Sequence, residues 1–128
     1  MKKILLVEDR EDDIIMARRI IKKIRGDCQL LVAYDGEQAL DLLTRPNADT
    51  YDLVLLDIQL PKINGFEVLR NIRADKSVAH QAAVVLTSSS SQADMAEANR
   101  LGADLYVTKP LGIKEFETSM KSILARFI

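Results

Sequence analysis

Tyr51-Asp-Leu-Val-Leu-Leu-Asp-Ile-Gln-Leu-Pro61 is the stretch from which the rest of the chain can be read. Leu53 to Leu56 is an unbroken apolar run, short and branched enough for a strand buried on both faces. It stops at Asp57, and Pro61 follows. A carboxylate set directly after a buried strand costs free energy unless it has a partner or a chemical task. In open parallel sheets, ligands bind beyond the carboxyl ends of the strands. Asp57 is therefore the candidate centre of a site. The plainer alternative is a strand-end turn or a helix cap, and Asp57 alone does not decide between them.

Upstream, Ile4 to Val7 is a second short apolar run, followed at once by the acidic loop Glu8-Asp-Arg-Glu-Asp-Asp13. Ile14, Ala17, Ile21 and Ile24 then recur at helical spacing. Asp12 and Asp13 suit the positive end of that helix, Lys22, Lys23 and Arg25 its negative end, and Gly26 its stop. Glu8 and Asp9 precede the helix and have no such role as caps. Gln29 to Tyr34 reads as the next strand. Asp35 caps the helix after it, with Gln38 in capping-box spacing.

Downstream of Pro61, Asn64 caps a helix whose inner face carries Leu69 and Ile72. Ala82 to Leu86 is a fourth strand, ending in the run Thr87-Ser-Ser-Ser-Ser91. A helix from Gln92 through Met95, Ala96 and Ala98 to Leu101 stops at Gly102. Asp104 to Thr108 is the fifth strand, closed by Lys109-Pro110, and Ile113, Phe116, Met120, Ile123 and Leu124 mark the last helix. Five strand–helix units in strict alternation predict a doubly wound α/β fold: a five-stranded parallel sheet with five helices on its two faces.

That fold would gather residues that are far apart in the chain. Glu8 and Asp9 follow the first strand, Asp57 the third, Thr87 the fourth and Lys109 the fifth. Three acids, a hydroxyl and an amine would share one edge of the sheet. Two carboxylates about 4 Å apart repel by ~4 kcal/mol at an effective dielectric near 20, so three in one pocket require a cation. An oxygen-only donor set with few protein ligands suits Mg²⁺, which keeps waters and is completed by phosphate oxygens. Beside such an ion Asp57 can attack an activated phosphoryl group, with Lys109 and Thr87 contacting its oxygens. Each residue also has a plainer reading. Lys109 could bridge surface acids, Thr87 could cap a helix, Glu8 could be a solvated loop acid, and Tyr106 could be strand packing. His80 is a lone histidine in a polar loop.

Composition narrows the classes. The 128 residues carry a formal net charge of −1, so there is no basic field for nucleic acid. No apolar run approaches a membrane span. The apolar segment after Met1-Lys-Lys is too short for a signal peptide. Cys28 is the only cysteine, which leaves no disulfide framework or zinc cluster and points to a reducing, cytoplasmic setting. The expectation is a single domain over residues 1–128.

Over nearly its whole length the chain resembles the receiver domains of two-component response regulators. The resemblance rests on Val7-Glu8-Asp9, on Leu55-Leu56-Asp57 with Pro61 and Gly65, on Thr87, and on Tyr106 through Lys109-Pro110. It implies a flavodoxin-like sheet with strand order 2-1-3-4-5. It implies that Asp57 accepts a phosphoryl group from a sensor histidine kinase or phosphotransfer protein. Mg²⁺ would be held by Glu8, Asp9, Asp57 and the backbone carbonyl of Gln59. Thr87 and Lys109 would bind the phosphoryl oxygens, and Lys109-Pro110 would be a cis peptide. Thr87 and Tyr106 would form a switch pair acting on the face of the fourth helix, fifth strand and fifth helix. Phosphotransfer and dephosphorylation would be self-catalysed rather than enzymatic turnover. Gln59 and Ser89 stand at positions that tune the lifetime of the phosphorylated state, and Ser88 replaces a frequent alanine. The serine-rich segment and the absence of an output domain resemble stand-alone regulators, including those paired with phytochrome-type kinases. The output would be a downstream protein, a phosphorelay partner or a phosphorylation-linked homodimer.

Three other functions compete. A Mg²⁺-dependent phosphatase with an aspartyl nucleophile would want a second acid at position 59, where Gln59 cannot donate a proton. A flavin- or nucleotide-binding module would want glycine where Glu8 to Glu11 is acidic. A receiver-like binding module that is never phosphorylated would not need the full acceptor set.

Overall fold

A computed structural model describes residues 1–128. The elements alternate as expected: β1 (Lys2–Val7), α1 (Glu11–Ile24), β2 (Cys28–Ala33), α2 (Gly36–Thr44), β3 (Leu53–Leu56), α3 (Gly65–Ala74), β4 (Ala83–Thr87), α4 (Gln92–Arg100), β5 (Leu105–Thr108) and α5 (Ile113–Phe127). All strands are parallel, in the order β2-β1-β3-β4-β5. This is a flavodoxin-like, doubly wound sheet.

The two-residue period of the strands divides the core between the faces. Ile4 and Leu6, Leu53 and Leu55, and Val84 and Leu86 pack with Ile14, Ala17 and Ile21 of α1 and with Phe116, Met120 and Ile123 of α5. Leu5 and Val7, Val54 and Leu56, and Ala83 face the other way, against Ala39 and Leu43 of α2 and Val68, Leu69 and Ile72 of α3. The four side chains of β3 are fully buried. At roughly 1.5–3 kcal/mol each, they anchor the centre of the sheet.

The ends of the elements are built locally. Asp35 Oδ1 accepts from Gln38 N at 2.8 Å and caps α2, but Gln38 Oε1 answers to Tyr34 N, one residue before the position a capping box would use. Asn64 Oδ1 accepts from Glu67 N and caps α3, while Ser91 Oγ accepts from Asp94 N and caps α4. Gly102 ends α4 at φ 92°. Gly26 follows α1 without a positive φ, and the cap of that helix is the extended Arg25.

α4 is the most lightly buried helix. Met95 is exposed, and Ala98 is the only buried residue of the helix. Together with Ile58 and Val85, Ala98 forms a small core of three, edged by Phe66 and Tyr106. β5, an edge strand, is half-buried throughout. At the amino-terminal pole of the sheet, Arg73 donates to the carbonyls of Gly102, Ala79 and Gln81 and to Asp104, tying α3 to the starts of β4 and β5.

Candidate functional site

Register brings the site together. Val7 pairs with Leu56, so the residues that follow, Glu8 and Asp57, leave the sheet side by side. Asp57 N donates to Val7 O at 3.1 Å, and Glu8 N donates to Ala33 O at 3.0 Å. Thr87 pairs with Thr108, and Lys109 N donates to Thr87 O at 2.7 Å, which delivers Lys109 to the same edge.

Lys109 Nζ is the hub of this edge. It donates to Glu8 Oε1, to Asp57 Oδ2 at 3.2 Å and to Asp13 Oδ2 at 3.1 Å. Glu8 is 2% exposed and Asp57 4%, so these charges lie largely out of water. The second oxygens are also engaged: Glu8 Oε2 accepts from Asp9 N and Arg10 N, and Asp57 Oδ1 accepts from Gln59 N at 3.0 Å. Burial pushes the Glu8 carboxyl above its ordinary value, against the hydrogen bond and charge of Lys109. Burial opposes the ammonium too, but the hydrogen bonds to Glu8 and Asp13 and the charges of Asp57 and Glu8 outweigh it and hold Lys109 protonated well above its ordinary value. Two buried acids thus share one cation, and of Glu8 and Lys109 the lysine is the more firmly charged.

The remaining expected residues are placed unevenly. Thr87 is the last residue of β4 and fully buried, and its Oγ1 has one long contact, from Ser89 N at 3.4 Å. Asp9 lies exposed on the loop and makes no side-chain contact with the cluster. The Gln59 side chain accepts from Ser88 Oγ at 3.1 Å, across the mouth of the site. Ser89 Oγ turns away to Asp94 of α4. Tyr106 donates its hydroxyl to Ser89 O at 2.8 Å. Asp13, read from sequence as a helix-end acid, is the residue that sequence reasoning missed: first-turn acids look alike until the lysine is placed.

One expectation is overturned. All peptide bonds are trans, Lys109-Pro110 included. Trans is the lower-energy form of an X-Pro bond by about 0.5–1 kcal/mol, and in that form the long lysine stem already reaches both buried acids.

Arg10, Asp13, Asp57, Gln59, Ser88 and Lys109 line a cavity of about 230 Å³ at this edge. Larger hollows, of about 540 Å³ between the carboxyl ends of α1 and α5 and about 530 Å³ beside Tyr51, lack a comparable convergence of buried charge. The donor set at the edge is oxygen-only, which suits a hard cation. As the side chains stand, no three acids close around a common point, and so open an oxygen donor set suits a hard cation that keeps several waters, as Mg²⁺ does.

The match to known proteins agrees with the geometry. Residues 4–121 match the family model of the response regulator receiver domain, and the chain belongs to that family. It is a receiver domain of two-component signalling. Over 127 residues it is 39% identical to the transcriptional regulatory protein CpxR of Escherichia coli (strain K12), covering 98% of this chain and 50% of that one. It is 34% identical to the response regulator ArlR of Staphylococcus saprophyticus, covering 98% and 54%. The chain thus spans about half the length of these curated relatives. Among solved structures it resembles the phosphorylated cyanobacterial phytochrome response regulator RcpA, with a TM-score of 0.92 and 31% identity over 98% of this chain and 93% of that one. The Mn²⁺-bound form of response regulator Rcp1 superposes with a TM-score of 0.89 and 31% identity, again over 98% and 93%. No helix is long and apolar enough to cross a membrane.

Proposed function

We propose that Asp57 is the phosphoacceptor of this receiver domain, taking a phosphoryl group from the phosphohistidine of a sensor histidine kinase or phosphotransfer protein. The observation that carries this reading is the Lys109 ammonium bonded at once to the buried Glu8 and Asp57 at the floor of one cavity. An oxygen of Asp57 forms the new P–O bond. The P–N bond to the donor imidazole breaks, and its electron pair stays on the ring nitrogen. Lys109 passes its Asp57 hydrogen bond to a phosphoryl oxygen, and the Thr87 hydroxyl donates to another once the loop after β4 closes. Gln59 N holds the carboxylate in place during attack. Glu8, Asp9, Asp57 and the Gln59 carbonyl would hold Mg²⁺, with Asp9 swinging in from the loop. When bound, the ion neutralises charge building on the phosphoryl oxygens. Gln59 and Ser89 tune the lifetime of the acyl phosphate, which the domain forms and loses by its own chemistry.

The readout is the face of α4, β5 and α5. A phosphoryl group adds roughly −1.5 to −2 charges. Thr87 drawn toward it pulls on the loop whose Ser89 carbonyl holds the Tyr106 hydroxyl. With only Ala98 of α4 buried, that helix is cheap to move, so a local charge biases a two-state element. The output is contact with another protein, onward phosphotransfer or a homodimer, and the likeness to phytochrome response regulators favours a phytochrome-type kinase as donor. Residues 1–128 act as one receiver unit. The phosphatase reading is the weaker one, because the Gln59 amide is engaged with Ser88 and carries no transferable proton.

The test is incubation with acetyl phosphate and Mg²⁺, followed by intact mass. The wild type gains one phosphoryl group and Asp57→Asn gains none. Undiminished labelling of Asp57→Asn would remove Asp57 from its role.

A further inference from the structure

Asp13 is the third carboxylate on Lys109, and it differs from the other two in origin and outlook. Glu8 and Asp57 come from strand ends, whereas Asp13 comes from the first turn of α1. Glu8 lies beneath the cavity and does not line it; Asp13 and Asp57 do. The side chain of Asp13 is 27% exposed against 2% for Glu8, and Arg10 Nε backs it at 3.6 Å. An ammonium has three protons and a flexible four-carbon stem, so it is fixed in space only when its acceptors fix it. Here three acceptors on three elements use all three protons.

We infer that Asp13 is a positioning residue that holds the Lys109 ammonium on the cavity side of Glu8, where a phosphoryl group bound to Asp57 meets it. This rests on the phosphoacceptor reading and adds a residue to it. Without Asp13 the lysine settles toward the more deeply buried Glu8 and presents its charge away from the reacting oxygens. As Asp57 takes the phosphoryl group, only the Asp57 hydrogen bond of Lys109 changes partner. Asp13 and Glu8 keep the other two, and the ammonium needs no reorganisation.

Asp12 supplies the matched control. It stands one residue earlier in the same helical turn, 76% exposed, and contacts only Arg10 and the Asp13 amide. Removing its charge changes the helix end and the local field without touching the lysine. The experiment follows the phosphorylation of Asp13→Asn, Asp13→Glu and Asp12→Asn by acetyl phosphate and Mg²⁺ over a range of donor concentrations. In Asp13→Asn the maximal first-order rate falls about tenfold, while the half-saturating donor concentration moves by less than about twofold. Asp13→Glu recovers most of the rate, and Asp12→Asn stays within about twofold of wild type on both measures. The ¹⁵N resonance of the Lys109 side chain shifts or broadens in Asp13→Asn and not in Asp12→Asn. If Asp13→Asn behaves like Asp12→Asn on rate and resonance alike, the inference is wrong, while the acceptor reading stands as long as Asp57→Asn is unlabelled. If Asp57→Asn is still labelled, both fall together.

Discussion

At the scale of single residues, the decisive fact is how few buried polar groups lack a partner. Tyr51 Oη is the only buried side-chain oxygen or nitrogen without one. Burial and the nearby Asp49 carboxylate push its phenol above the ordinary value. The folded state therefore keeps that proton to higher pH than the unfolded chain does. Stability from this group is complete below the ordinary phenol range, near pH 10, and is lost as pH rises through the folded value. Tyr51→Phe should lessen the alkaline slope in denaturant midpoints measured from pH 9 to 11, with the Cys28 thiol, also pushed above its ordinary value by burial, keeping part of it. At pH 7 it should leave the fold unchanged or more stable by about 1 kcal/mol, because a hydroxyl without a partner is removed. The polar residues of the site were unequally legible in the sequence. Glu8, Asp57 and Lys109 could be read because each ends an apolar strand whose limits are sharp. Asp13 could not, since its contact depends on where a helix lies against the sheet. Nor could the Ser88–Gln59 and Ser89–Asp94 bonds, which depend on side-chain rotamers in a loop.

At the scale of elements, the loop after β3 is fixed by close approach. A Cβ on Gly65 would lie 2.4 Å from the Asp57 carbonyl oxygen and 2.5 Å from Ile58 Cα, both backbone atoms that cannot swing aside. Gly65→Ala should cost about 3 kcal/mol in chemical denaturation, the scale of forced overpacking. It should also slow labelling of Asp57, since the carbonyl it displaces belongs to the proposed acceptor. On the far side of the same loop, Lys62 has a φ of 64° and reaches Asp35 at 3.6 Å, joining the loop to the start of α2. Every strand and helix was legible from periodicity to within a residue or two. The apolar spacing of α4 was a poorer guide. Met95, Ala96 and Ala98 mark a helix correctly, but a stripe of small residues does not reveal whether a neighbour covers it, and here only Ala98 is covered.

At the scale of the whole molecule, the parallel order places four strand ends and the first turn of α1 around one cavity, and the buried charges converge there. A ligand that binds only the assembled edge stabilises the entire fold by mass action. Mg²⁺ at roughly a hundredfold over its dissociation constant should raise stability by about 2.7 kcal/mol. A thermal melt of the wild type should show the rise, and Asp57→Asn should show much less of it. The architecture and strand order were readable because strict βα alternation leaves few alternatives.

Glu8 and Lys109 hydrogen-bond across 101 residues of sequence, and this separation bears on synthesis. On the ribosome, β1 and β3 are complete long before β5 emerges. Glu8 and Asp57 are then brought together with no ammonium between them, and their mutual repulsion works against early closure of the central strands. β5, translated after the other four strands of the sheet, carries the charge that relieves it, so a sheet still lacking β5 is penalised at the very edge where the completed one is held together.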